Sequence, residues 1–155
     1  MKDIVVSEKE LHEICKRLGH ELTERYKDNV LPPVFIGVMK GALPFMMDLI
    51  REVECPILTD YVTISSYMGK ESTGVIKLKK DIDTDLTGRD VVIVEDIIDT
   101  GVTLEWFKEY LKNKESKEKR KMKKGKLFVI DGTDGSGKQT QLETLKEKLM
   151  FQLIM

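Results

Sequence analysis

Apolar and polar residues recur along the chain with two different periods, which together predict an α/β fold. Apolar residues recur at helical spacing over residues 8 to about 27, behind a capping-box pattern of Ser7 and Glu10. Continuous apolar runs predict buried strands at Val34–Val38, Val91–Val94 and Leu127–Ile130. The segments that follow these runs predict helices through about Glu52, over Thr103–Lys112 and from about Gln139 to Met150. This alternation predicts a largely parallel sheet.

One part of the chain has the pattern of a hairpin. Ile57–Ser65 is rich in β-branched residues with partial alternation, and Val75–Leu78 repeats that pattern. The segment between them, Ser66–Gly74, is polar and glycine-bounded, which predicts a loop. We therefore expect residues 57–78 to form a long hairpin, followed by a turn-rich connector over Asp81–Gly88.

Composition limits the class of protein. A chain of 155 residues allows one domain, or one domain plus a fragment. No apolar run approaches the roughly 18–20 residues that span a bilayer, so no membrane association is expected. Cys15 and Cys55 lack the spacing of a metal or redox site, which favours a reducing cytoplasm over a disulfide framework.

Positive charge is concentrated in one segment, although the net charge is only −1. Residues 112–126 hold nine Lys/Arg and two Glu. Such a run is typical either of a patch that attracts nucleic acid or phosphate, or of a solvated connector. Because no aromatic residue in the run could stack on bases, we expect a connector rather than a nucleic-acid partner.

The most informative segment is VVIVEDIIDTGVTL, residues 91–104. Glu95 and Asp96 directly follow an apolar strand, at the position where open α/β sheets bind their ligands. Asp99 and the Thr-rich turn 100–103 then open a helix, whose first N–H groups suit a phosphate. An ordinary β–α turn is the alternative, since Asp and Thr are common helix caps. The combination of three acids with a Thr-Gly-x-Thr turn favours a sugar-phosphate site.

Several segments resemble known families of enzymes. Val91–Thr103 resembles the phosphoribosyl pyrophosphate (PRPP) signature of type I phosphoribosyltransferases. Val38–Ala42 is similar to the pyrophosphate loop of hypoxanthine-guanine phosphoribosyltransferases, and Ser65–Tyr67 with 69–74 is similar to their flexible lid. The sequence of residues 80–101, KDIDTDLTGRDVVIVEDIIDTG, also resembles the corresponding segment of that subfamily. The resemblance covers about residues 3–112.

This resemblance implies a role for each matching residue. Glu95 and Asp96 would contact the ribose hydroxyls, directly or through Mg²⁺, and Asp99 would transfer a proton near N7 of the purine. Lys40 and Gly41 would bind pyrophosphate, in a loop that often carries a cis peptide in this family, and Ser66 and Tyr67 would close over the site. The 5′-phosphate would be held by Asp99, Thr100, Gly101, Val102 and Thr103. The implied reaction converts PRPP and hypoxanthine or guanine into IMP or GMP and pyrophosphate, in a family that usually forms homo-oligomers.

Beyond residue 112 the chain departs from this family. Complete members continue with another core strand, a Lys that contacts the exocyclic oxygen of the purine, an aromatic that stacks on the base and a late Asp that coordinates metal. None of these is recognisable in the sequence. We therefore expect the PRPP-binding half of the site without its base-binding half, and reduced or absent turnover.

A second phosphate-loop motif follows instead. Gly132 to Lys138, GTDGSGK, fits G-x-x-x-x-G-K between a predicted strand and a predicted helix, the context that a P-loop for ATP requires. Gln139 replaces the usual Ser/Thr, so the hydroxyl for Mg²⁺ is displaced to Thr140. About 30 residues resemble the start of thymidylate kinases. The residues implied in this loop are Gly132, Asp134, Gly135, Ser136, Gly137, Lys138, Gln139 and Thr140.

The predicted organisation therefore has three segments. They are an incomplete phosphoribosyltransferase-like domain (1–112), a basic linker (113–126) and a P-loop kinase-like fragment (127–155). Leu127–Asp131 is apolar enough to fill the sheet position beside 91–94, where an unpaired edge would favour aggregation. Four functions remain open: a purine phosphoribosyltransferase, a nucleotide kinase fragment, a non-catalytic binder of PRPP or nucleotides, and a product without function.

Overall fold

A computed structural model describes residues 7–67, 75–95, 102–118 and 127–131. Three helices and five strands lie in these ranges. They are α1 (Glu8–Tyr26), β1 (Val34–Met39), α2 (Leu43–Arg51), β2 (Leu58–Tyr67), β3 (Val75–Lys80), β4 (Val91–Glu95), α3 (Val102–Glu118) and β5 (Leu127–Asp131). Within the described ranges no helix is long and apolar enough to cross a membrane.

The strands form one sheet in the order β3-β2-β1-β4-β5. β1 pairs in parallel with both β2 and β4, and β4 pairs in parallel with β5. β3 runs antiparallel to β2 at the edge, as the predicted hairpin requires. The sheet is therefore mixed but largely parallel, which confirms the α/β part of the predicted fold.

The two central strands are buried on both faces, which explains their continuous apolar runs. On one face, Phe35, Val92 and Val94 pack with α1 and α2 residues such as Leu22 and Leu49. On the other face the packed residues, from β1, β4 and α3, include Val34, Ile36, Val91, Ile93, Leu104, Phe107 and Leu111. The result is a helix–sheet–helix sandwich.

Helix α1 begins at the predicted capping box. The Ser7 hydroxyl accepts the N–H of Glu10 at 3.3 Å, and the Glu10 carboxylate accepts the N–H of Ser7 at 2.9 Å. Farther along α1, Gly19 lies so close to α2 that an added Cβ would sit 2.5 Å from the carbonyl oxygen of Glu52. The absence of a side chain at Gly19 is what lets the two helices approach.

Several predicted boundaries differ from the structure, by two residues at the ends of β2 and β3 and by six at the end of α3. Ser66 and Tyr67, predicted to start a loop, continue β2, because they extend the ladder by pairing with Ile76 and Val75. Helix α3 runs to Glu118 rather than Lys112, so the first six residues of the predicted linker are helical. Lys and Glu are good helix formers, and the ammonium of Lys114 is held by the Asp81 carboxylate at 2.8 Å.

The prediction for Leu127–Asp131 is confirmed at the level of strand pairing. These residues pair in parallel with β4, from Val91 opposite Leu127 to Glu95 opposite Asp131. The helix predicted from about Gln139 to Met150 lies outside the described residues. Both cysteines are buried free thiols.

Candidate functional site

The candidate site is the sheet edge at which the parallel strands end. Because β1 and β4 are parallel neighbours with Gly37 opposite Val94, Lys40 follows the end of one strand close to Glu95 at the end of the other. This edge is the position at which open α/β sheets bind ligands. The structure therefore brings Lys40, Gly41 and Glu95 to one edge of the sheet, and the binding roles that the resemblance implies for them stay predictions.

The turn after β1 exposes Lys40 and Gly41 to solvent. Its Met39–Lys40 peptide bond is cis, as the family resemblance implied for this loop. The turn leads directly into α2, whose N-cap is Ala42 and whose first turn contains Pro44, so no side chain caps the first N–H groups of this helix. The N–H groups of Ala42 and Leu43 already donate to the carbonyl oxygens of Val38 and Lys40 at 3.3 Å, and Pro44 has no N–H. The exposed Lys40 ammonium is therefore the group of this turn that can attract an anion.

The turn after β4 is described only at its two ends. Glu95 is half-buried at the end of β4, while Val102 is 60% exposed and Thr103 is half-buried in the first turn of α3. Asp96, Asp99, Thr100 and Gly101 lie outside the described residues. The structure thus describes only the last two residues of the predicted 5′-phosphate loop, Val102 and Thr103, and the roles of all of its residues stay predictions.

Ser66 and Tyr67 lie on a projection of the sheet. The last pair between β1 and β2 joins Met39 to Thr63, and β2 then continues for four residues paired only with β3. At 3.3 Å per residue this projection reaches about 13 Å beyond the end of β1. We call residues 64–67 and 75–78 the arm. The arm holds the two predicted lid residues beyond the edge that carries Lys40 and Glu95.

A buried carboxylate at the base of the arm was not among the predicted site residues. The Asp60 side chain is only 6% exposed and accepts four hydrogen bonds. Its Oδ2 accepts the N–H groups of Asp83 at 2.9 Å and Thr84 at 2.8 Å, and its Oδ1 accepts the N–H of Tyr61 at 2.7 Å and the ammonium of Lys80 at 3.2 Å. Burial alone would raise the pKa of Asp60, but these hydrogen bonds outweigh it and lower the pKa to about 2. The sequence does contain an indication of this role, because Asp60 is the one charged residue in the strand LTDYVTISSY.

A second polar group joins the next residues of the chain to α3. The Asp81 carboxylate accepts the Tyr110 hydroxyl at 2.5 Å and the Lys114 ammonium at 2.8 Å. Burial opposes ionisation of Asp81, yet hydrogen bonds from Lys114 and Tyr110 hold its pKa below the ordinary value. Burial and the neighbouring Asp81 raise the pKa of Tyr110 to about 12. Asp81 therefore links the end of the hairpin to the helix that follows the 5′-phosphate loop.

The oxygen donors at the edge fit a magnesium ion. Mg²⁺ is usually held by one or two carboxylates together with substrate phosphates and water. In the described part of the chain, no group of three or more His, Cys, Asp or Glu side chains forms a self-sufficient metal site. Glu95, with Asp96 following it in the sequence, supplies the hard oxygen ligands that this mode of binding needs.

Of the second phosphate-loop motif, the structure describes only the strand that precedes it. β5 ends at Asp131, directly before Gly132, so a strand does precede the motif as predicted. All of its implied residues lie outside the described ranges: Gly132, Asp134, Gly135, Ser136, Gly137, Lys138, Gln139 and Thr140. ATP binding at this loop stays a prediction.

Comparison with known proteins gives one consistent result. Residues 7–123 match the phosphoribosyl transferase domain family. The chain is 44% identical over 115 residues to the hypoxanthine-guanine phosphoribosyltransferase of Lactococcus lactis subsp. lactis, and 42% identical over 118 residues to that of Bacillus subtilis. These matches cover 74% and 76% of this chain but 62% and 64% of the two relatives. The chain thus spans less than two thirds of their length.

Solved structures agree with the sequence comparison. A hypoxanthine phosphoribosyltransferase from Staphylococcus aureus matches with a TM-score of 0.70 and 33% identity, over 84% of this chain and 68% of that chain. The enzyme from Trypanosoma cruzi in complex with the product IMP matches with a TM-score of 0.61 and 30% identity, over 81% of this chain and 68% of that chain.

Proposed function

The chain belongs to the phosphoribosyl transferase domain family, and from this membership we propose that it binds PRPP for transfer to a purine base. The observation that carries the proposal is the meeting of the Lys40–Gly41 turn and Glu95 at one sheet edge. The two relatives named above, which act as hypoxanthine-guanine phosphoribosyltransferases, support hypoxanthine and guanine as the bases.

Each part of the proposed site takes one part of PRPP. Lys40 and Gly41 hold the pyrophosphate, and Glu95 with Asp96 holds the ribose hydroxyls. The 5′-phosphate lies against the loop Asp99–Thr103, at the start of α3. Mg²⁺, bound by Glu95 or Asp96 and by PRPP itself, offsets the negative charge of the pyrophosphate.

The proposed chemistry is a substitution at C1 of the ribose. A ring nitrogen of the purine forms a bond to C1 while the bond from C1 to the pyrophosphate oxygen breaks. Pyrophosphate leaves with the electron pair, and Asp99 takes up the proton that the base releases near N7. Ser66 and Tyr67, at the end of the arm, exclude water from the cationic sugar of the transition state.

A calorimetric titration of PRPP in the presence of Mg²⁺ tests the proposal. Lys40→Met should weaken PRPP binding about 10- to 100-fold, the usual effect of removing a charged hydrogen bond. The matched control is Lys16→Met on the exposed side of α1, which should bind as the parent does. Equal affinity of the two variants would contradict the assigned site.

A second assay separates binding from turnover. Pyrophosphate release after addition of hypoxanthine or guanine would establish transfer to the base. PRPP binding with no release would identify the chain as a non-catalytic PRPP binder, which is the alternative within the same site. Assembly of the chain as a homo-oligomer is part of the proposal and is tested by sedimentation. The two free, buried thiols fit the proposed cytoplasmic location.

We also propose a second, separate site for the phosphates of ATP at Gly132–Thr140, the segment that resembles thymidylate kinases. The observation in its favour is that β5 ends at Asp131, since a P-loop follows directly from a strand. Lys138→Ala should abolish ATP binding and leave PRPP binding unchanged. Absence of ATP binding by the parent chain would refute this second site alone.

A further inference from the structure

The direction in which the arm projects from the sheet is set where it leaves β1, at the pair of Met39 with Thr63, which we call its base. Beyond the pair of Met39 with Thr63, the backbone of β2 is paired with β3 alone. The ladder is also irregular at this point, because Thr63 pairs with Lys80 and Ile64 already pairs with Leu78. A bulge of this kind changes the local twist of a hairpin. A small change at the base is therefore amplified along the arm.

The base is held by the group around Asp60, which we call the root clamp: the Asp60 carboxylate, the Lys80 ammonium and the N–H groups of Asp83 and Thr84. The carboxylate joins β2 to the segment that directly follows β3. Lys80, the last residue of β3, adds bonds to the carbonyl oxygens of Tyr61 at 3.1 Å and Asp81 at 2.7 Å. Its ammonium also lies 4.2 Å from the centre of the Tyr61 ring. The root clamp thus fixes both strands of the hairpin at one point.

Asp60 acts at a distance from the proposed ligand. It is paired with Ile36, three residues before the end of β1, and is therefore about 10 Å from the edge at which Lys40 lies. Its two oxygens already accept three hydrogen bonds from the root clamp and one from the N–H of Tyr61, which leaves no acceptor for a substrate. Its influence on the site has to pass through the arm.

We propose that Asp60 is a positioning residue for the PRPP site, because it fixes the base from which the arm extends over the sheet edge. This inference rests on the proposed function for its effect on PRPP binding, but not for its effect on the arm. The adjacent link from Asp81 to Tyr110 and Lys114 holds the same segment against α3, so the root clamp has a rigid support on its other side.

Asp60→Asn is the variant that tests the proposal. It keeps the size of the side chain but removes the charge and turns an amide donor toward N–H groups. Asp85→Asn is the matched control: Asp85 is an exposed carboxylate on the same connector, and it accepts a hydrogen bond only from the neighbouring Thr87. Lys80→Gln is the second variant: the Lys80 side chain is 26% exposed, and its replacement removes the ammonium while the Asp60 carboxylate keeps its three backbone N–H donors.

Hydrogen–deuterium exchange without ligand measures the arm itself. In Asp60→Asn and Lys80→Gln, the amides of residues 64–67 and 75–80 should exchange about tenfold faster, whereas amides of β4 keep their parent rates. A purely structural role would accelerate exchange in β4 and the arm together. Unchanged exchange in the arm, or equal acceleration in both regions, would overturn the proposal whether or not the chain binds PRPP.

Calorimetry with PRPP and Mg²⁺ then measures the consequence for the site. Both variants should bind PRPP about three- to tenfold more weakly than the parent and than Asp85→Asn. Parent-like affinity in a variant with a loosened arm would refute Asp60 as a positioning residue. A parent that does not bind PRPP would instead refute the proposed function, and the exchange data would still decide the role of the root clamp.

Discussion

Gly19→Ala is predicted to destabilise the protein, although alanine is the better helix former. Inside a helix, replacing Gly with Ala ordinarily stabilises by about 1 kcal/mol. In α1 the new Cβ would lie 2.5 Å from both the carbonyl oxygen and the Cβ of Glu52, where ordinary contact begins at 3.4 Å. The atoms in conflict include backbone, so relief requires α1 and the end of α2 to separate by about 0.9 Å, the difference between these distances.

The expected magnitude follows from the competition of these two effects. Overpacking of this kind typically destabilises by about 1–3 kcal/mol, which exceeds the propensity gain or cancels it. We therefore expect the free energy of unfolding to fall by about 0–2 kcal/mol relative to the parent. Because α2 begins at the Lys40–Gly41 turn, the same separation should weaken PRPP binding as well.

Urea denaturation followed by circular dichroism measures this effect. The control is His20→Ala at the exposed neighbouring position, where only helix propensity changes and a small stabilisation is expected. A Gly19→Ala variant that is stabilised by the full 1 kcal/mol of helix propensity would show that α1 and α2 are not packed as closely as described.

Two further predictions concern titration. Asp60 has a folded-state pKa of about 2, below its ordinary value. Its contribution to the free energy of unfolding is therefore fully present above about pH 4 and is lost as the pH falls toward 2. In acid denaturation, the stability of Asp60→Asn should depend less on pH over this range than that of the parent, and an equal pH dependence would contradict the assignment. Burial, with Asp48 and Glu52 nearby, raises the pKa of Cys15 to about 11, and burial also raises that of Cys55. Neither thiol should react rapidly with Ellman's reagent in the native protein at pH 8, and both should react in urea; fast native labelling would refute the described core.

The local pattern of the sequence predicted the elements that interact mainly with their neighbours in the chain. The apolar runs at Val34–Val38 and Val91–Val94 are buried on both faces, and a continuous run is the direct consequence of such burial. The Ser7 capping box closes within four residues, so its pattern is sufficient to predict it. Leu127–Asp131 was placed correctly because an unpaired strand edge is unfavourable.

Features that depend on distant contacts were not predictable in this way. Asp60 binds N–H groups 23 and 24 residues later in the chain, and nothing in the local pattern indicates which backbone it meets. Helix α3 continues past Lys112, where Lys114 meets Asp81 from a connector 33 residues earlier. For the candidate site, the positions of the strand ends could be predicted because parallel strands end at the same edge. The projection of the arm could not, because it depends on how many residues β2 continues beyond its last pair with β1.

The central claim is that the sheet edge carrying Glu95 binds PRPP. Its most direct test is a calorimetric titration of PRPP with Mg²⁺ against three proteins: the parent, Glu95→Gln, and Glu54→Gln, which removes an exposed carboxylate before the start of β2 at the opposite edge. The account predicts that the parent and Glu54→Gln bind alike and that Glu95→Gln binds about 10- to 100-fold more weakly. No PRPP binding by the parent, or equal affinity of all three proteins, would contradict it.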